Sequence, residues 1–528
     1  MSAVVTDQFR ISNAGNFVDS VLNTDNSYYV FLGLSNPATP NPGFGRTSDW
    51  NTIAPLNPVD NFQYEWQDGS TSQFGKKINS QNIRRVVRKV DWVVNLPYDM
   101  YRQDYSPSFN APVSQTARLY DANYYVVTSD YNVYICIDNG SSGAPGTTDA
   151  KGKTSKFEPS STELEPFSAG NDDYVWKYLY TISPGDIVKF DSTEYIVVPN
   201  DWETSTNSQI QNVREAGDST INSNQIKTVY IENPGLGYKG DVIETCDILG
   251  DGSGGKVSVS TNIDGSITSV TVTAGGTGYT YGIIDLGNIH LNSTTPFNTP
   301  AKLIPIIPPS RGHGYDIYKE LGADRVLVYA RFDDSTKDFP TNSAFAQVGI
   351  VKNPKTFSAI GSTFTGTQYS SLNAIKLTAA LDATVSIGAS IFQNNTNGTA
   401  AGYLASYDAE TKVIKFYQDR SLYFNEATQD QTDYNTVSAK AKHVAFSGGN
   451  SINFGGASPP SAVSVDTAFS GISTIVNDKT IDLGVSFTDG YANPEINKTT
   501  GDIIYIDNRK LVERDSRQKE DIKIILEF

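Results

Sequence analysis

One glycine-rich run has the spacing of a nucleotide-binding loop. Residues 235–240, with the sequence GLGYKG, match Gly-x-Gly-x-x-Gly. In a dinucleotide site these glycines stand between a strand and a helix, so that the helix N-terminus meets the pyrophosphate. Here Pro234 precedes the run, and residues 241–243 predict a second strand after it. The run therefore indicates a structural turn, and nucleotide binding is the weaker interpretation.

A second candidate is a loop that could hold calcium. Residues 251–255, with the sequence DGSGG, offer oxygen ligands on a glycine turn, which suits that ion. The segment lacks the carboxylate at a fixed later spacing that a strong calcium motif has. A plain hairpin turn is therefore the favoured prediction.

The histidines and carboxylates do not form a recognisable catalytic pattern. His290, His313 and His443 lack the spacing of zinc ligands, and His313 is expected at the surface of a proline-flanked loop. No Gly-x-Ser-x-Gly sequence favours a Ser-His-Asp hydrolase. The 58 acidic residues leave a two-carboxylate glycosidase open. The doublets at 172–173 and 333–334 are not themselves catalytic pairs, because neighbours on a strand point to opposite faces.

One basic cluster could bind phosphate. It consists of arginines at 84, 85 and 88 and a lysine at 89. On a helix these residues would lie opposite the apolar residues of the same segment, so a solvated face or ion pairs with an acidic neighbour chain are the favoured interpretations. The sequence thus predicts no catalytic, cofactor-binding or metal-binding residue.

The composition predicts a mainly β protein. Thirty tyrosines and 24 phenylalanines suit strands, and the many Asn, Ser, Thr and Gly residues suit turns. The formal net charge of -17 argues against a nucleic-acid partner, which needs a basic face. Cys136 and Cys246 are too few for a disulfide framework and are expected to be small buried residues. We expect neither a secretion signal nor a membrane-spanning segment.

Hydrophobic periodicity predicts short elements along the chain. Helices are expected at residues 6–22, at 78–90, where apolar residues repeat at i, i+3, i+4 and i+7, and at 315–321. Residues 402–417 predict a hairpin that turns at 408–411. Further strands are expected at 27–32, 124–127, 132–137, 174–182, 194–198, 325–330, 346–351, 502–506 and 522–528.

Two stretches differ in style from the rest of the chain. Residues 207–299 contain an internal repeat, in which a strand leads to a Gly turn with an aromatic anchor at Tyr238 and again at Tyr279. Residues 357–497 are also rich in Gly, Ser, Thr and Asn. We therefore expect one core domain, formed by residues 1–205, 304–356 and 500–528, with inserted β-modules at 206–303 and 357–499. If so, the two ends of each insertion should be neighbours in space.

The segments outside the insertions resemble a known family. The matching stretches share one order along the chain, and they are VTDQFR (5–10), the run ending DW (84–92), VYICID (133–138), DYVWKYL (173–179), EYIVVP (194–199), AQVGIVKNP (346–354) and GDIIYIDNR (501–509). Together they resemble the gene-product-eight baseplate wedge subunit of T-even-like contractile phages.

The resemblance implies a fold and a function. It implies a layered antiparallel β-sandwich core with a few short helices, and a homodimer that joins other wedge subunits of the baseplate. Such a protein is assembled in the host cytoplasm and located in the virion of a myovirus. The Gly-Tyr repeats resemble modules in virion proteins of cyanophages. No enzyme activity, cofactor, small-molecule substrate, nucleic acid or membrane is expected.

Two alternatives remain open from the sequence. In the first, the insertions bind host glycans in an adhesin or fibre-associated module, which exposed aromatic rings at Tyr238 and Tyr279 would favour. In the second, the chain is a virion-associated glycan hydrolase, which a partly buried pair of carboxylates in a cleft would favour.

Overall fold

The computed structural model describes residues 5–33, 71–290, 299–309, 311–333, 343–359, 361–396, 398–417, 445–455, 461–498, 500–514 and 518–528, with positions 55, 57, 58, 60, 68 and 69. These residues belong to two compact units. Unit 1 comprises the described residues within 1–18, 84–327 and 525–528, and unit 2 comprises those within 19–83 and 328–524. Each unit therefore contains part of the ranges that were expected to form one core domain.

The predicted mainly β fold is confirmed, with strands that pair in antiparallel ladders and few, short helices. The described helices are α1 (Asp7–Leu22), α2 (Pro184–Phe190), α3 (Ser208–Gly217), α4 (Ser219–Asn222) and α5 (Ile317–Leu321). The described strands are β1 (Tyr28–Gly33), β2 (Ser72–Lys77), β3 (Ile83–Arg88), β4 (Tyr125–Val127), β5 (Asn132–Asn139), β6 (Tyr174–Thr181), β7 (Tyr195–Val198), β8 (Val229–Asn233), β9 (Ile243–Gly250), β10 (Ser253–Thr261), β11 (Ile267–Thr277), β12 (Gly282–Ile284), β13 (Lys302–Pro305), β14 (Arg325–Phe332), β15 (Ala344–Lys352), β16 (Lys355–Thr356), β17 (Gln368–Ser370), β18 (Asn373–Lys376), β19 (Ser390–Asn395), β20 (Gly398–Asp408), β21 (Val413–Tyr417), β22 (Ile452–Phe454), β23 (Ser461–Val463), β24 (Gly471–Val476), β25 (Lys479–Phe487), β26 (Tyr491–Ala492), β27 (Ile496–Asn497), β28 (Asp502–Glu513) and β29 (Glu520–Glu527).

Unit 1 contains two sheets and two further pairs of strands, and its largest buried side chains are aromatic. β4, β5 and β6 form one sheet in that order, and β11-β10-β9-β12 forms a second. β8 pairs with β13, and β3 pairs with β7. The largest fully buried side chains of this unit are Trp176, Trp202, Tyr124, Tyr125, Tyr134, Tyr174 and Tyr178.

The helix predicted at residues 78–90 is wrong, because this segment contains strand β3. Val86 lies opposite Val197 of β7, and Val86 and Val87 are both buried although they are neighbours. A strand buried on both faces can show the same i, i+3, i+4 spacing as a helix, and β-branched residues favour the strand. The predicted helix at 315–321 is confirmed in a shorter form as α5.

The glycine-rich stretch that follows α3 shares its core with its surroundings. The backbone of Leu236 bonds that of Thr299 in both directions and forms an isolated bridge, so the end of the stretch lies beside its first glycine turn. The core cluster of this stretch nevertheless includes Ile307, which lies beyond its end, and the Tyr230 hydroxyl donates to the Gly143 carbonyl at 2.8 Å. The stretch is therefore packed into unit 1 along one side and not merely tethered to it.

Both repeat turns are closed by a buried tyrosine. The Tyr279 hydroxyl donates to the Ile248 carbonyl at 2.8 Å and accepts from the Gly255 N–H at 3.1 Å. The Tyr238 hydroxyl accepts from the Ala301 N–H at 2.9 Å. The predicted pattern of strand, Gly turn with aromatic anchor, and strand is confirmed.

Unit 2 is organised by a five-stranded sheet of order β17-β2-β1-β15-β28. A second sheet has the order β23-β22-β19-β20-β21-β18-β26, and it includes the predicted hairpin of β20 and β21. β16 pairs with β27, where Lys355 lies opposite Asn497 and the Phe357 N–H donates to the Glu495 carbonyl. The two ends of the second glycine-rich stretch therefore meet, as expected.

This second stretch also contributes to the five-stranded sheet. β17 forms one edge of that sheet by pairing with β2, and Tyr369 and Ile496 pack against Tyr29 and Phe31. A division between core and insertion at residue 357 therefore passes through shared structure. A boundary further inside the stretch fits better, because the Glu495 N–H donates to the Ser370 carbonyl and the chain therefore meets itself again just beyond β17.

The structure predicts where this stretch can be removed. Replacing residues 372–494 with a short Gly/Ser linker should leave a soluble unit with a cooperative thermal transition, because the two apolar clusters of this stretch lie within residues 374–492. Calorimetry of the deletion variant would measure this. Aggregation of the variant would show that these clusters support the rest of unit 2.

The matched control is the wider replacement of residues 357–499. It also removes β17 and the buried side chains of Tyr369 and Ile496. We expect its free energy of unfolding to be lower than that of the narrower deletion by about 5 kcal/mol or more, since each large buried side chain contributes about 2–5 kcal/mol.

Candidate functional site

The most concentrated set of buried polar groups surrounds His313 in unit 1. His313 Nδ1 lies 2.5 Å from Glu320 Oε1, and the other carboxylate oxygen accepts from the Gly314 N–H at 2.9 Å. The ring of Tyr101 contacts the His313 ring edge-on, with the centroids 4.9 Å apart. The Tyr124 hydroxyl donates to the backbone carbonyl of Glu320 at 2.6 Å.

These contacts give the cluster a structural role. The side chains of His313 and Glu320 are 1% and 0% exposed, so no substrate reaches them. The carboxylate fastens the loop before α5 to the helix itself. The expectation that His313 lies at the surface is wrong, because its loop is covered by α3, whose Gly217 packs against the backbone of residues 313–315.

Lys177 is a second buried charged group in this unit. Its ammonium donates to the Leu164 carbonyl at 2.5 Å. Burial lowers the pKa of Lys177 to about 8, and the nearby Lys227 lowers it further, while Glu165 and Glu320 act in the opposite direction. The lysine on β6 therefore has a pKa well below that of an exposed lysine, but its ammonium is enclosed and cannot meet a carbonyl substrate.

One cleft of about 160 Å³ lies beside α2 and β7. Ile187 and Phe190 supply apolar walls, and Asp91, Asp186 and Asp191 supply carboxylates. Asp186 is held at 2.9 Å by Arg84, and Asp91 lies 3.5 Å from Lys89. Carboxylates that are paired with cations are poorly suited to act as a general acid, so this cleft does not favour the hydrolase interpretation.

A second cleft of about 320 Å³ is lined by arginines. Arg118 contacts Asp7 at 2.7 Å and Asp324 at 3.3 Å, and Arg325 contacts Asp324 at 3.1 Å. Arg88 donates to the backbone carbonyls of residues 121 and 122. Arg118 and Arg325 are paired with carboxylates within unit 1, and Arg88 is engaged by backbone carbonyls, so the cleft is not a strong site for an anion.

The basic cluster at residues 84–89 forms contacts on strand β3 and not on a helix face. Arg84 pairs with Asp186, and the Arg85 guanidinium stacks on the Tyr318 ring at 3.7 Å. Arg84 thus forms an ion pair, but its partner lies in the same chain, and pairing of this cluster with a neighbour chain stays a prediction.

The two glycine loops are turns between strands. Gly235 and Gly237 adopt φ of 65° and 93°, and strand β9 follows them, so the helix that a dinucleotide site requires is absent at this described position. Asp251 accepts from the N–H and hydroxyl of Thr280 and thereby closes the turn beside β12. Its carboxylate stabilises a turn between strands, and the favoured prediction of a plain turn is confirmed.

Several other residues that the sequence singled out have structural contacts, and two positions lie outside the described parts. Asp172 is buried and accepts from the backbone of Lys156 and Tyr174, whereas Asp173 pairs with Lys153 at the surface. Cys136 and Cys246 are free and buried, as expected. The positions 334 and 443 lie outside the described residues.

The aromatic residues that would favour glycan binding are buried. Tyr238 is 4% exposed and Tyr279 is 2% exposed, and their hydroxyls bond to backbone groups of neighbouring segments. A stacking platform for a sugar needs an exposed ring face. The glycine-rich stretch therefore offers no such platform at these two positions.

Two further findings concern metal ions and membranes. Among the described residues, no group of three or more His, Cys, Asp or Glu side chains is placed to hold a metal ion, and no helix is long and apolar enough to cross a membrane. Comparison with family models and with curated proteins found no match to the chain.

Burial of Lys177 predicts a rise in stability with pH. The ordinary lysine pKa is 10.5 and the folded value is about 8. Between these values the unfolded chain binds a proton that the folded chain has released, so the free energy of unfolding increases as pH rises. Urea midpoints at pH 7.5, 8.5 and 9.5 should therefore increase in the wild type.

The Lys177→Met variant should flatten this rise, because it removes the titrating ammonium from the interior. Lys151→Met, at an exposed position, is the matched control and should keep the wild-type slope. An unchanged slope in Lys177→Met would show that other groups cause the pH dependence.

Proposed function

We propose that this chain is a structural subunit of the baseplate of a contractile phage tail, where it joins neighbouring wedge proteins and works by binding. The observation that carries the proposal is that the stretches resembling the wedge family pair with one another. In unit 1, Tyr134 of β5 lies opposite Tyr178 of β6. In unit 2, Val348 of β15 lies opposite Asp507 of β28.

These pairings support the proposal for the following reason. If the stretches resembled the family only in composition, there would be no reason for them to lie next to one another in the sheets. β15 and β28 stand on either side of the long stretch at 357–499 and are still neighbours in one sheet. The stretches that resemble the family are therefore also strands that pair within the sheets of each unit.

Exposed apolar side chains on strands provide surfaces for protein partners. Leu249 of β9 and Ile283 of β12 lie opposite each other and are 54% and 67% exposed. Ile243, on the same strand as Leu249, is 75% exposed. Apolar residues in such neighbouring positions are typical of the centre of a protein interface.

In this role the chain is assembled in the host cytoplasm and located in the tail baseplate of a myovirus, with a cyanophage as the expected source. Its partners are other wedge subunits and a second copy of itself. The net charge of -17 supports protein partners over nucleic acid.

The proposal predicts a dimer in solution. Multi-angle light scattering of the purified chain at micromolar concentration should give a mass near twice 57.4 kDa. A mass of one chain that persists at tens of micromolar would contradict the dimer.

The proposal also predicts a location in the virion. Gold-labelled antibodies raised against the purified chain should bind at the distal end of the tail in electron micrographs of intact particles. Antibodies preadsorbed with the purified chain are the control. Label along the fibres or at their tips would instead support the adhesin alternative.

A further inference from the structure

Strands β24 and β25 form a hairpin whose outer part stands apart from other strands. At its base, Leu483, Val485 and Phe487 are buried in a cluster with Phe469. Beyond the base, Ser473 pairs with Asp482 and Val476 pairs with Lys479. Among the described residues, no further strand pairs with either edge of this two-stranded sheet. A two-stranded hairpin alone is marginally stable in water, so an additional strand at one edge would stabilise it.

The turn determines which backbone groups face the open edge of β24. Asn477 and Asp478 both have positive φ, at 47° and 61°, which is the conformation of a two-residue type I′ turn. Such a turn is closed by hydrogen bonds between its flanking residues, Val476 and Lys479. Along an antiparallel ladder, pairs that exchange hydrogen bonds alternate with pairs that do not. Thr474 therefore bonds across to β25, whereas the N–H and C=O groups of Ser473 and Ile475 point to the outer edge.

The two edges of the hairpin differ in charge. β25 carries Lys479 and Asp482 in its outer part, and charged side chains are a common protection against unwanted pairing at an edge. β24 has the sequence GISTIV and no charge. Ile472 and Ile475 on this strand are 49% and 72% exposed. The uncharged edge is the one that a strand of another chain can approach without opposing charges.

We propose that a second copy of this chain pairs with the outer edge of β24, about a two-fold axis at Thr474. In this register Ser473 exchanges backbone hydrogen bonds with Ile475 of the other copy, and the four strands form one continuous sheet. The inference rests on the dimer of the proposed function and assigns an interface to it.

The strand is complementary to itself in this register. A two-fold axis at Thr474 places Ile472 opposite Val476 of the other copy, twice, and Thr474 opposite its own copy. Aliphatic and Thr–Thr cross-strand pairs are both stabilising. The outward N–H and C=O groups of Ser473 and Ile475 in one copy meet those of the other copy, so these groups are paired at the seam. The uncharged strand also avoids local repulsion between two acidic chains.

Cysteine cross-linking tests the register directly. Thr474 would face its own copy in a pair without mutual hydrogen bonds, where Cα atoms are about 4.5 Å apart, and a disulfide accepts separations of about 4.4–6.8 Å. Thr474→Cys with copper–phenanthroline as oxidant should therefore yield a covalent dimer on a non-reducing gel. The native thiols, Cys136 and Cys246, are buried.

Thr480→Cys is the matched control for cross-linking. Thr480 lies opposite Ile475 on β25, and its own copy would be about 14 Å away across three strand spacings. This variant should stay uncross-linked under the same conditions. Cross-linking of Thr480→Cys without cross-linking of Thr474→Cys would overturn the assigned edge.

Proline variants test the hydrogen bonds without adding charge. Ile475→Pro removes an outward N–H and leaves the bonds inside the hairpin, since proline is tolerated where the N–H faces away from the ladder. Loss of two symmetric hydrogen bonds should raise the dimer Kd about thirtyfold. Thr480→Pro makes the same change on the other edge and should keep the wild-type Kd.

The outcomes separate this interface from the proposed function. A dimeric wild type with Thr474→Cys cross-linked and Ile475→Pro weakened supports the interface. A dimeric wild type with both variants unaffected overturns the interface and leaves the dimer intact. A monomeric wild type overturns both, and the edge of β24 would then be open to a strand of a different protein.

Discussion

Backbone pairing of strand β15 is the constraint on which unit 2 depends. All its residues from Ala344 to Val351 are buried, so their peptide groups cannot bond to water and require neighbouring strands on both sides. β1 supplies one side and β28 the other. Segments near the beginning and the end of the chain are therefore held in one sheet. The long stretch between β15 and β28 has to leave this sheet and return to it, which explains why Lys355 and Asn497 are paired.

Tyrosine has a related role in unit 1. The hydroxyl of Tyr174 donates to the Lys153 carbonyl at 2.7 Å, and that of Tyr180 donates to the Val197 carbonyl at 2.8 Å. A buried phenol without a hydrogen-bond partner would be costly, so each ring also determines the position of a loop or strand. The abundance of tyrosine therefore reflects, in good part, the interior of the protein and not its binding surfaces.

The elements with a strong local pattern could be predicted from sequence. The buried runs of β5, β6 and β15, helix α1, the β20–β21 hairpin and the tyrosine turns all follow from residue types and spacing. β3 could not be distinguished from a helix, because burial on both faces removes the alternation on which a strand prediction depends. The boundary between the core and the second glycine-rich stretch could not be predicted either, because β17 has three residues, which are too few to show an alternation of apolar and polar side chains.

The candidate site shows a similar limit. Burial of His313 depends on α3 and α5, which come from separate parts of the sequence, and no local feature of the proline-flanked loop indicates it. By contrast, the lack of zinc-ligand spacing among the histidines could be recognised from the sequence, because such spacing is a local feature. The open edge of β24 had a local signal as well, since Asn477-Asp478 separates two short apolar runs, but only the structure shows that no described strand covers that edge.

The sheet order β17-β2-β1-β15-β28 also has a consequence for synthesis of the chain. A ribosome releases β1 and β2 early, whereas β28 begins only at Asp502. β15 therefore lacks one of its two neighbours until β28 has emerged, and an unpaired buried strand is prone to associate with other nascent chains. The β19–β21 part of the second sheet pairs neighbours in sequence and can form while translation continues. Completion of the five-stranded sheet of unit 2 thus waits for the synthesis of β28.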